Sequence, residues 1–346
     1  MPPKILLHGS GAIGTIYIYL LQQAGCDVTA VCRSNYEAAN TNGFIIDSAV
    51  YGNDIHIRPP IARSPAEAAE TDGPYDYVIV CTKALPEART AEVIKPAVTP
   101  GKTTIVLIQN GIGIENEYAA LFPENPLISC VVYLPTTQTE PGRISMGNFE
   151  MLEIGTFPAS AYTSCTKAKH ATDVLQAVLK QGGSDIHFYE DIQPQRWSKL
   201  LLNASWNPIC ALTLSRDVAF LASSPEAEKL VMDVMNEVVT VSQALGYYSI
   251  TPESALYQMS RATDRKGGKG VEPSMLADVL NGRRMEVEVI LGNPVKIAEG
   301  LGVSVPRMET LYFLSKALDE AVALKQPGES LSGEETREAR EASLPA

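Results

Sequence analysis

The fold of the N-terminal part of the chain follows from one stretch, Lys4-Ile5-Leu6-Leu7-His8-Gly9-Ser10-Gly11-Ala12-Ile13-Gly14. An apolar run leads into a Gly-x-Gly-x-x-Gly turn, residues 12–24 then follow a helical pattern, and residues 28–31 read as a second strand. Glycines allow a tight turn, and a helix N-terminus offers N–H groups to a pyrophosphate. This context predicts a dinucleotide-binding turn. The predicted cofactor-binding residues in it are Gly9, Ser10, Gly11, Ala12, Ile13 and Gly14.

The end of the second strand indicates which dinucleotide is bound. Enzymes that prefer NAD usually have Asp or Glu there, because a carboxylate accepts a hydrogen bond from the ribose 2′-hydroxyl. This chain has Cys32-Arg33-Ser34 instead, and a guanidinium suits the 2′-phosphate of NADPH. We therefore expect NADPH to be the cofactor. The alternative is that Arg33 is only a solvated loop residue.

Two later strands are also followed by polar side chains. Residues 75–81 and 103–108 have the composition of buried strands, and they are followed by Lys83 and Asn110, respectively. Ligands of open parallel sheets sit at the carboxyl ends of the strands. Both side chains are therefore predicted to line the cofactor cleft. The alternatives are a surface lysine and an ordinary Asn-Gly turn.

The composition limits the class of protein. A chain of 346 residues is longer than one core usually holds together, and its 45% of hydrophobic residues is typical of globular proteins. The formal net charge of -12 disfavours nucleic acid and anionic membranes as partners. The six cysteines lack metal-ligand or redox-motif spacing. We expect no metal site, no signal peptide, no bilayer-spanning segment and a reducing, cytoplasmic location.

The order of strand and helix patterns predicts two domains. Residues 1–190 are expected to form an α/β, NADP-binding domain with a Rossmann-type doubly wound sheet. Residues 191–325 show helical patterns and predict an all-α substrate and catalytic domain, and the polar segment 326–346 is expected to be a disordered tail. Three short strand-like pieces are expected to extend the first sheet, at residues 127–134, 144–146 and 151–154.

One stretch of the predicted helical domain combines apolar and polar residues. Residues 196–208 read as a single helix on which Lys199, Asn203 and Asn207 recur every four residues and so share one face. The stripe fits an amphipathic surface helix with a narrow wet side. It also fits a wall that faces a substrate, with Lys199 as proton donor and the two asparagines as hydrogen-bond partners.

Taken together, these motifs resemble those of the ketopantoate reductase (2-dehydropantoate 2-reductase) family, over a span from residue 4 to about residue 324. The resemblance rests on the joint occurrence of motifs in a fixed order, since the first of them alone is weak. The motifs are Gly9-Ser-Gly-Ala-Ile-Gly14, Thr82-Lys83-Ala84, Gln109-Asn110-Gly111-Ile-Gly113, Lys199-x-x-x-Asn203-x-x-x-Asn207-Pro208, and Ser274-Met-Leu-Ala-Asp278 followed by Glu286.

The resemblance implies that NADPH reduces a 2-oxo acid to a 2-hydroxy acid, with ketopantoate as the leading substrate and (R)-pantoate for pantothenate synthesis as the product. It implies that Lys199 donates a proton to the carbonyl oxygen, where an ammonium also stabilises the developing charge. Glu286 is implied to pair with this lysine and to contact the cofactor ribose. The implied substrate-binding residues are Lys199, Asn203, Asn207, Asn110 and Ser274.

One substrate-binding position departs from the family pattern. Ten residues past Asn207 the family usually has an asparagine, whereas this chain has Asp217, a carboxylate that would repel an anionic substrate. A paralogue that reduces another ketone or 2-oxo acid in specialised metabolism therefore stays open. A non-catalytic NADPH sensor is a further alternative, against which the retention of Lys199 and Glu286 argues. The expected partners are a small-molecule substrate and, in a homodimer, a second copy of the chain.

Overall fold

The computed structural model describes residues 2–265 and 267–324. The chain folds into two compact units, of which the first ends at Gln195 and the second begins at Arg196. The sequence predicts this division after residue 190, where the helical pattern starts. The tail expected at 326–346 lies outside the described residues.

The strands of the first unit form an eight-stranded and a four-stranded sheet. In chain order they are β1 (Lys4–His8), β2 (Asp27–Val31), β3 (Phe44–Ser48), β4 (Gly52–Ile57), β5 (Ile61–Ala62), β6 (Tyr77–Val80), β7 (Thr104–Ile108), β8 (Leu127–Tyr133), β9 (Thr136–Glu140), β10 (Arg143–Met146), β11 (Met151–Thr156) and β12 (Ile186–Phe188).

The eight-stranded sheet has the order β12-β11-β8-β7-β6-β1-β2-β5, and its strands are parallel except where β11 pairs with β8. His8 pairs with Val31 of β2 and with Val80 of β6, and Val80 pairs with Leu107 of β7. The carboxyl ends of these four strands therefore meet at one edge of the sheet. This arrangement confirms the predicted Rossmann-type fold and is the usual place for a ligand.

The helices of the first unit lie between its strands in chain order. The helix Ala12–Gln23 packs tightly on the helix Thr166–Gly182, since a Cβ added at Gly182 would run into the carbonyl oxygen of Leu20. The helices are α1 (Ala12–Gln23), α2 (Tyr36–Asn42), α3 (Pro65–Asp72), α4 (Thr90–Ile94), α5 (Glu115–Leu121), α6 (Ala161–Ser164) and α7 (Thr166–Gly182), with short 3₁₀ turns at Pro86–Ala88 and Lys95–Ala97.

The four-stranded sheet corrects one expectation about the strands. It has the order β4-β3-β10-β9. The prediction that residues 144–146 (β10) extend the large sheet is therefore wrong. Along β10, Ile144 and Met146 are buried while Ser145 is exposed. This alternation suits a sheet with one face toward solvent, whereas strands of the large sheet such as β7 are buried throughout.

The second unit, in the residues that the structure describes, is built from helices, as predicted. None of the described helices of the chain has both the length and the apolar character needed to cross a bilayer. The helices are α8 (Gln193–Asn203), α9 (Trp206–Thr213), α10 (Asp217–Ser223), α11 (Ala227–Ala244), α12 (Pro252–Thr263), α13 (Ser274–Leu280), α14 (Asn293–Gly300) and α15 (Pro306–Leu324), with a π-helical segment at Glu288–Gly292.

The single helix predicted over residues 196–208 is two helices in the structure. Helix α8 ends at Asn203 and α9 begins at Trp206. Pro208 gives the physical reason. It has no N–H to donate to the carbonyl of Ala204, and its ring crowds that carbonyl. The helix is therefore interrupted one turn before the proline.

Candidate functional site

Two glycines of the predicted turn are required by its packing. Gly9 has a φ of 105°, and a Cβ there would lie 2.5 Å from the backbone nitrogen of Thr82. A Cβ on Gly14 would run into the carbonyl oxygen of Gly9. By contrast, the Cβ position of Gly11 has no described heavy atom within 4 Å. The turn is thus closed toward the protein and open at Gly11, as backbone binding of a ligand requires.

The N-terminus of α1 lies in this turn. Gly11 is the N-cap and contributes no side-chain hydrogen bond, and the first turn, which the structure describes in full, contains no acidic residue. The first amides of the helix, at Ala12 and Ile13, are therefore not capped by a side chain of the N-cap and lie at the positive end of the helix dipole. Such an end fits a pyrophosphate.

Ser10 has a structural role within the turn. Its buried hydroxyl donates to the carbonyl oxygen of Val31 at 3.1 Å, and its own carbonyl accepts a hydrogen bond from Asn35 Nδ2 at 2.6 Å. The first contact joins the glycine turn to the last residue of β2, and the second joins it to the segment after β2. Asn35 is a residue that sequence reasoning missed, although a polar residue just past the second strand is the available signal.

Two arginines lie near the ends of neighbouring strands. Arg33 is exposed just after β2, and pairing of Val31 with Ala62 places Arg63 directly after β5. The guanidinium carbon of Arg63 lies 3.6 Å from the ring centroid of Tyr36. Arg63 could not be predicted from the sequence because β5 is only two residues long. The carboxyl ends of β2 and β5 therefore carry two cations, of which Arg63 pairs with Glu37 at 2.7 Å, and the exposed Arg33 is suited to a phosphate.

The last residue of β1 is a histidine held neutral. Burial, with a smaller contribution from the charge of Arg33, lowers the pKa of His8 from 6.5 to about 4. Its Nδ1 is buried without a hydrogen-bond partner in the described residues. Protonation would therefore place an unpaired charge inside the turn.

This histidine predicts acid sensitivity. Above pH 6.5, His8 is neutral in both the folded and the unfolded state. At lower pH, His8 is protonated in the unfolded state but stays neutral in the folded state, because its pKa there is lower. The free energy of unfolding should fall as pH drops from 6.5 to about 4, by up to about 3 kcal/mol. Urea unfolding at about pH 7 and about pH 5 should show a smaller loss in His8→Gln than in the wild type. The exposed His56→Gln is the control, and equal losses in all three proteins would contradict the prediction.

The loops after β6 and β7 are joined at the same edge of the sheet. Gln109 Nε2 donates to the carbonyl oxygen of Thr82 at 2.8 Å. Lys83 and Asn110 come directly after these two residues, and both are partly exposed. The register of the strands therefore places both predicted cleft residues on the edge that carries the glycine turn.

In the second unit, three predicted substrate-binding residues are joined by hydrogen bonds. Asn207 Nδ2 donates to Asn203 Oδ1 at 3.2 Å across the break between α8 and α9. Asn207 Oδ1 accepts from Ser274 Oγ and from the backbone N–H of Met275, both at 3.1 Å. The structure thus brings together residues that are 67 positions apart in the sequence.

The two predicted catalytic residues differ in their local settings. Lys199 is partly exposed on α8, whose neighbouring Trp197, Leu200 and Leu201 are buried. Glu286 is 7% exposed and lies in the irregular segment before the π-helical turn. A buried carboxylate is costly unless it is paired or hydrogen-bonded.

Asp217 does not present an isolated charge. Its Oδ1 accepts from the backbone N–H groups of Val218 and Val271, both at 2.7 Å. Its Oδ2 accepts from the Arg265 guanidinium at 2.7 Å, and the aspartate is 3% exposed. The carboxylate therefore holds Arg265 and Val271 to the start of α10. Because Arg265 offsets its charge, the repulsion of an anionic substrate that the sequence suggested is weakened.

Restoring the amide at this position should destabilise the protein. In Asp217→Asn, Nδ2 would replace Oδ2 and meet the Arg265 guanidinium, so one buried charge-assisted hydrogen bond is lost. The expected cost is about 1–3 kcal/mol, seen as a lower melting temperature. The control is Glu272→Gln, which breaks the half-exposed pair of Glu272 with Arg216 and should cost less than about 1 kcal/mol. Equal melting temperatures for the two variants would contradict this role of Asp217.

Models of one protein family match both units. Residues 5–159 match the model described as ketopantoate reductase PanE/ApbA, and residues 191–319 match the C-terminal model of the same family. The chain is 30% identical over 336 residues to an uncharacterized protein of Saccharomyces cerevisiae, covering 90% of this chain and 92% of that protein.

Relatives with a named activity are similar over the same length. A 2-dehydropantoate 2-reductase of Nostoc is 28% identical over 319 residues, with 91% of this chain and 95% of that protein covered. The crystal structure of 2-dehydropantoate 2-reductase from Methylococcus capsulatus is 32% identical, with a TM-score of 0.78 and coverage of 94% of this chain and 100% of that one. With both family models matched in order along the chain, this protein belongs to the ketopantoate reductase family of oxidoreductases.

Proposed function

We propose that this protein reduces a 2-oxo acid to a 2-hydroxy acid with NADPH, and that 2-dehydropantoate (ketopantoate), giving (R)-pantoate for pantothenate synthesis, is its leading substrate. The observation that carries the proposal is the hydrogen-bonded set of Asn203, Asn207 and Ser274 in the unit that also bears Lys199. Relatives named 2-dehydropantoate 2-reductase support the choice of substrate.

The residues of the first unit fit a nicotinamide dinucleotide. The amides of Ala12 and Ile13 would hold the pyrophosphate, while Arg33 would hold the 2′-phosphate that distinguishes NADPH from NADH. Lys83 and Asn110 would bind along the same edge of the sheet. Since the chain has a net charge of -12, these local cations are needed to attract an anionic cofactor. When bound, NADPH supplies the hydride.

Lys199 is proposed as the proton donor to the substrate carbonyl. Negative charge develops on this oxygen during reduction, and an ammonium next to it stabilises the charge and supplies the proton. Glu286 is proposed to pair with Lys199 and to contact the cofactor ribose.

The orientation of Asn207 decides what its neighbours can recognise. The backbone N–H of Met275 can only donate, so the atom of Asn207 that faces it must be the carbonyl oxygen. Asn207 Nδ2 then donates to Asn203 Oδ1, which leaves Asn203 Nδ2 as a donor for a substrate oxygen. Ser274 donates to Asn207 and keeps lone pairs that can accept from a substrate hydroxyl. A hydroxylated 2-oxo acid matches this pattern.

A second candidate keeps the reaction and changes the substrate. The pairing of Asp217 with Arg265 occupies the position where the family usually has an asparagine. Asp217 acts only as an acceptor there and offers no amide donor to a substrate, and this difference favours a paralogous reductase that acts on another ketone or 2-oxo acid in specialised metabolism.

Following NADPH absorbance against a panel of 2-oxo acids separates these candidates. The panel should include ketopantoate, its analogue without the 4-hydroxyl, pyruvate and an aromatic 2-oxo acid. We expect the highest kcat/KM with ketopantoate, at about 10⁴ M⁻¹s⁻¹ or more, and a large loss without the hydroxyl. Higher efficiency with another compound would favour the second candidate, and binding of NADPH without any turnover would favour the sensor.

The location and the oligomeric state of the protein are also proposed. None of the six cysteines forms a disulfide in the described residues, which supports a reducing, cytoplasmic location. A homodimer is also proposed, and sedimentation of the purified protein tests it. A monomer at micromolar concentration would contradict it.

A further inference from the structure

We infer that helix α15 positions Glu286 by holding the chain on both sides of it. This inference rests on the catalytic role proposed for Glu286 above. The positioning residues are Asp319, which binds the segment before Glu286, and Glu288, which follows it and binds α15.

The first contact holds the residues that precede Glu286. Asp319 is 5% exposed, and its Oδ1 accepts from the backbone N–H of Met285 at 2.6 Å. Its Oδ2 accepts from Arg284 Nε at 2.6 Å. Hydrogen bonds to a charged group are shorter and stronger than neutral ones. The peptide nitrogen of Met285, one residue before Glu286, is therefore fixed to α15.

The second contact holds the chain two residues after Glu286. Tyr312 Oη donates to the carboxylate of Glu288, 2.9 Å from Oε1 and 3.0 Å from Oε2, and Lys316 Nζ lies 3.0 Å from Oε1. Burial favours the neutral acid, but hydrogen bonds from Lys316 and Tyr312 outweigh it, so the pKa of Glu288 is lowered. Glu288 is therefore an ionised anchor at neutral pH.

The backbone after Glu286 has an unusual form that suits this anchor. Glu288–Gly292 is a π-helical turn, a rare geometry that often occurs at functional sites. A Cβ added at Gly292 would lie 2.5 Å from Glu288 Oε2 and 2.9 Å from Tyr312 Cε2. Glycine at this position therefore lets the carboxylate and the tyrosine meet.

One face of α15 supplies both contacts. Tyr312, Lys316 and Asp319 are spaced by four and three residues, so they lie along one side of the helix. Glu286 lies between the two anchored segments in the chain. A side chain that holds a proton donor must keep its position within a fraction of an ångström, and a displacement of about 1 Å can cost about 100-fold in rate. This face of α15 provides that support from outside the set of reacting groups.

The test is a double-mutant cycle in the full-length protein. Glu288→Gln and Asp319→Asn should each lower kcat about tenfold or more, and Glu320→Gln, an exposed change on α15, should leave it unchanged. In a Glu286→Gln background, Glu288→Gln should cause no further loss. The alkaline limb of the kcat–pH profile should shift in the same direction in Glu288→Gln as in Glu286→Gln. Tyr312→Phe keeps the ion pair with Lys316 and is the milder variant if Glu288→Gln fails to fold.

The outcomes separate this inference from the proposed function. Equal losses from Glu288→Gln in both backgrounds, or unchanged kcat in Glu288→Gln and Tyr312→Phe, would overturn the positioning role. If Glu286→Gln alone left kcat unchanged, the catalytic role proposed for Glu286 would be wrong, and the inference would fail with it. A lower kcat in Glu286→Gln, with unchanged kcat in Glu288→Gln and Asp319→Asn, would overturn the inference and leave the catalytic role of Glu286 in place.

Discussion

Replacing Lys199 by alanine is expected to lower kcat by about 10²- to 10⁴-fold, the usual contribution of a general acid. The ketone oxygen would develop negative charge with neither a proton donor nor a cation beside it. The glycine turn lies in the other unit, so the Kd for NADPH should stay within about a factor of three of the wild type. Stopped-flow turnover and fluorescence titration of NADPH measure the two quantities.

A matched control is Lys229→Ala, which removes an exposed lysine of the same unit that pairs with Asp233. It should change neither kcat nor the Kd for NADPH. Undiminished turnover in Lys199→Ala would remove Lys199 from the mechanism. Loss of NADPH binding together with turnover would show that the variant is misfolded, or that the lysine binds cofactor.

Replacing Arg33 by alanine is expected to lower kcat/KM for NADPH about 10- to 100-fold and to leave kcat/KM for NADH nearly unchanged. A charge-assisted hydrogen bond to a phosphate is worth about 1.5–3 kcal/mol, and only NADPH carries the 2′-phosphate. Steady-state kinetics with both cofactors at one salt concentration give the ratio. The loss should shrink at high salt because exposed charges are screened.

Arg58→Ala is the control for this change, since Arg58 is exposed in the same unit and donates to the carbonyl of Thr41. It should leave the cofactor preference as it is. A wild-type protein that prefers NADH would contradict the assignment of NADPH. A wild-type preference for NADPH that survives Arg33→Ala would shift the assignment to another cation, and Arg63 beside it is then the first to replace.

The dinucleotide turn shows what local sequence can predict. Strand, turn and helix are adjacent in the chain, and Gly14 is required by its contact with the carbonyl of Gly9 within the turn, whereas Gly9 is required by the backbone of Thr82, which follows β6. The same holds for the end of β2, where Arg33 follows the strand directly. Pro208 was a local signal for the break between α8 and α9, because it lacks the N–H that a continuous helix needs. The four-residue spacing of Lys199, Asn203 and Asn207 nevertheless led to the prediction of a single helix.

Contacts between distant segments could not be predicted in this way. Ser145 and its neighbours in β10 read as a strand, but only pairing with β3, about 100 residues earlier, assigns them to the second sheet. Asp217 reads as an unpaired charge, yet Arg265 neutralises it from 48 positions away. The residues around Ser145 and Asp217 do not indicate which distant segment each of them will contact.

The amino-acid sequence was enough to predict the Rossmann-type fold and the helical second unit, because strand and helix periodicity are properties of short segments. Its motifs also resemble those of the ketopantoate reductase family, and that resemblance points to Lys199 and Glu286 as the candidate catalytic residues. Tertiary structure alone decided which donors meet each carboxylate, including Asp319 and Glu288 on either side of Glu286. The physical reason is that a buried carboxylate is stabilised by whatever the fold brings within about 3 Å, and that partner can come from any position in the chain.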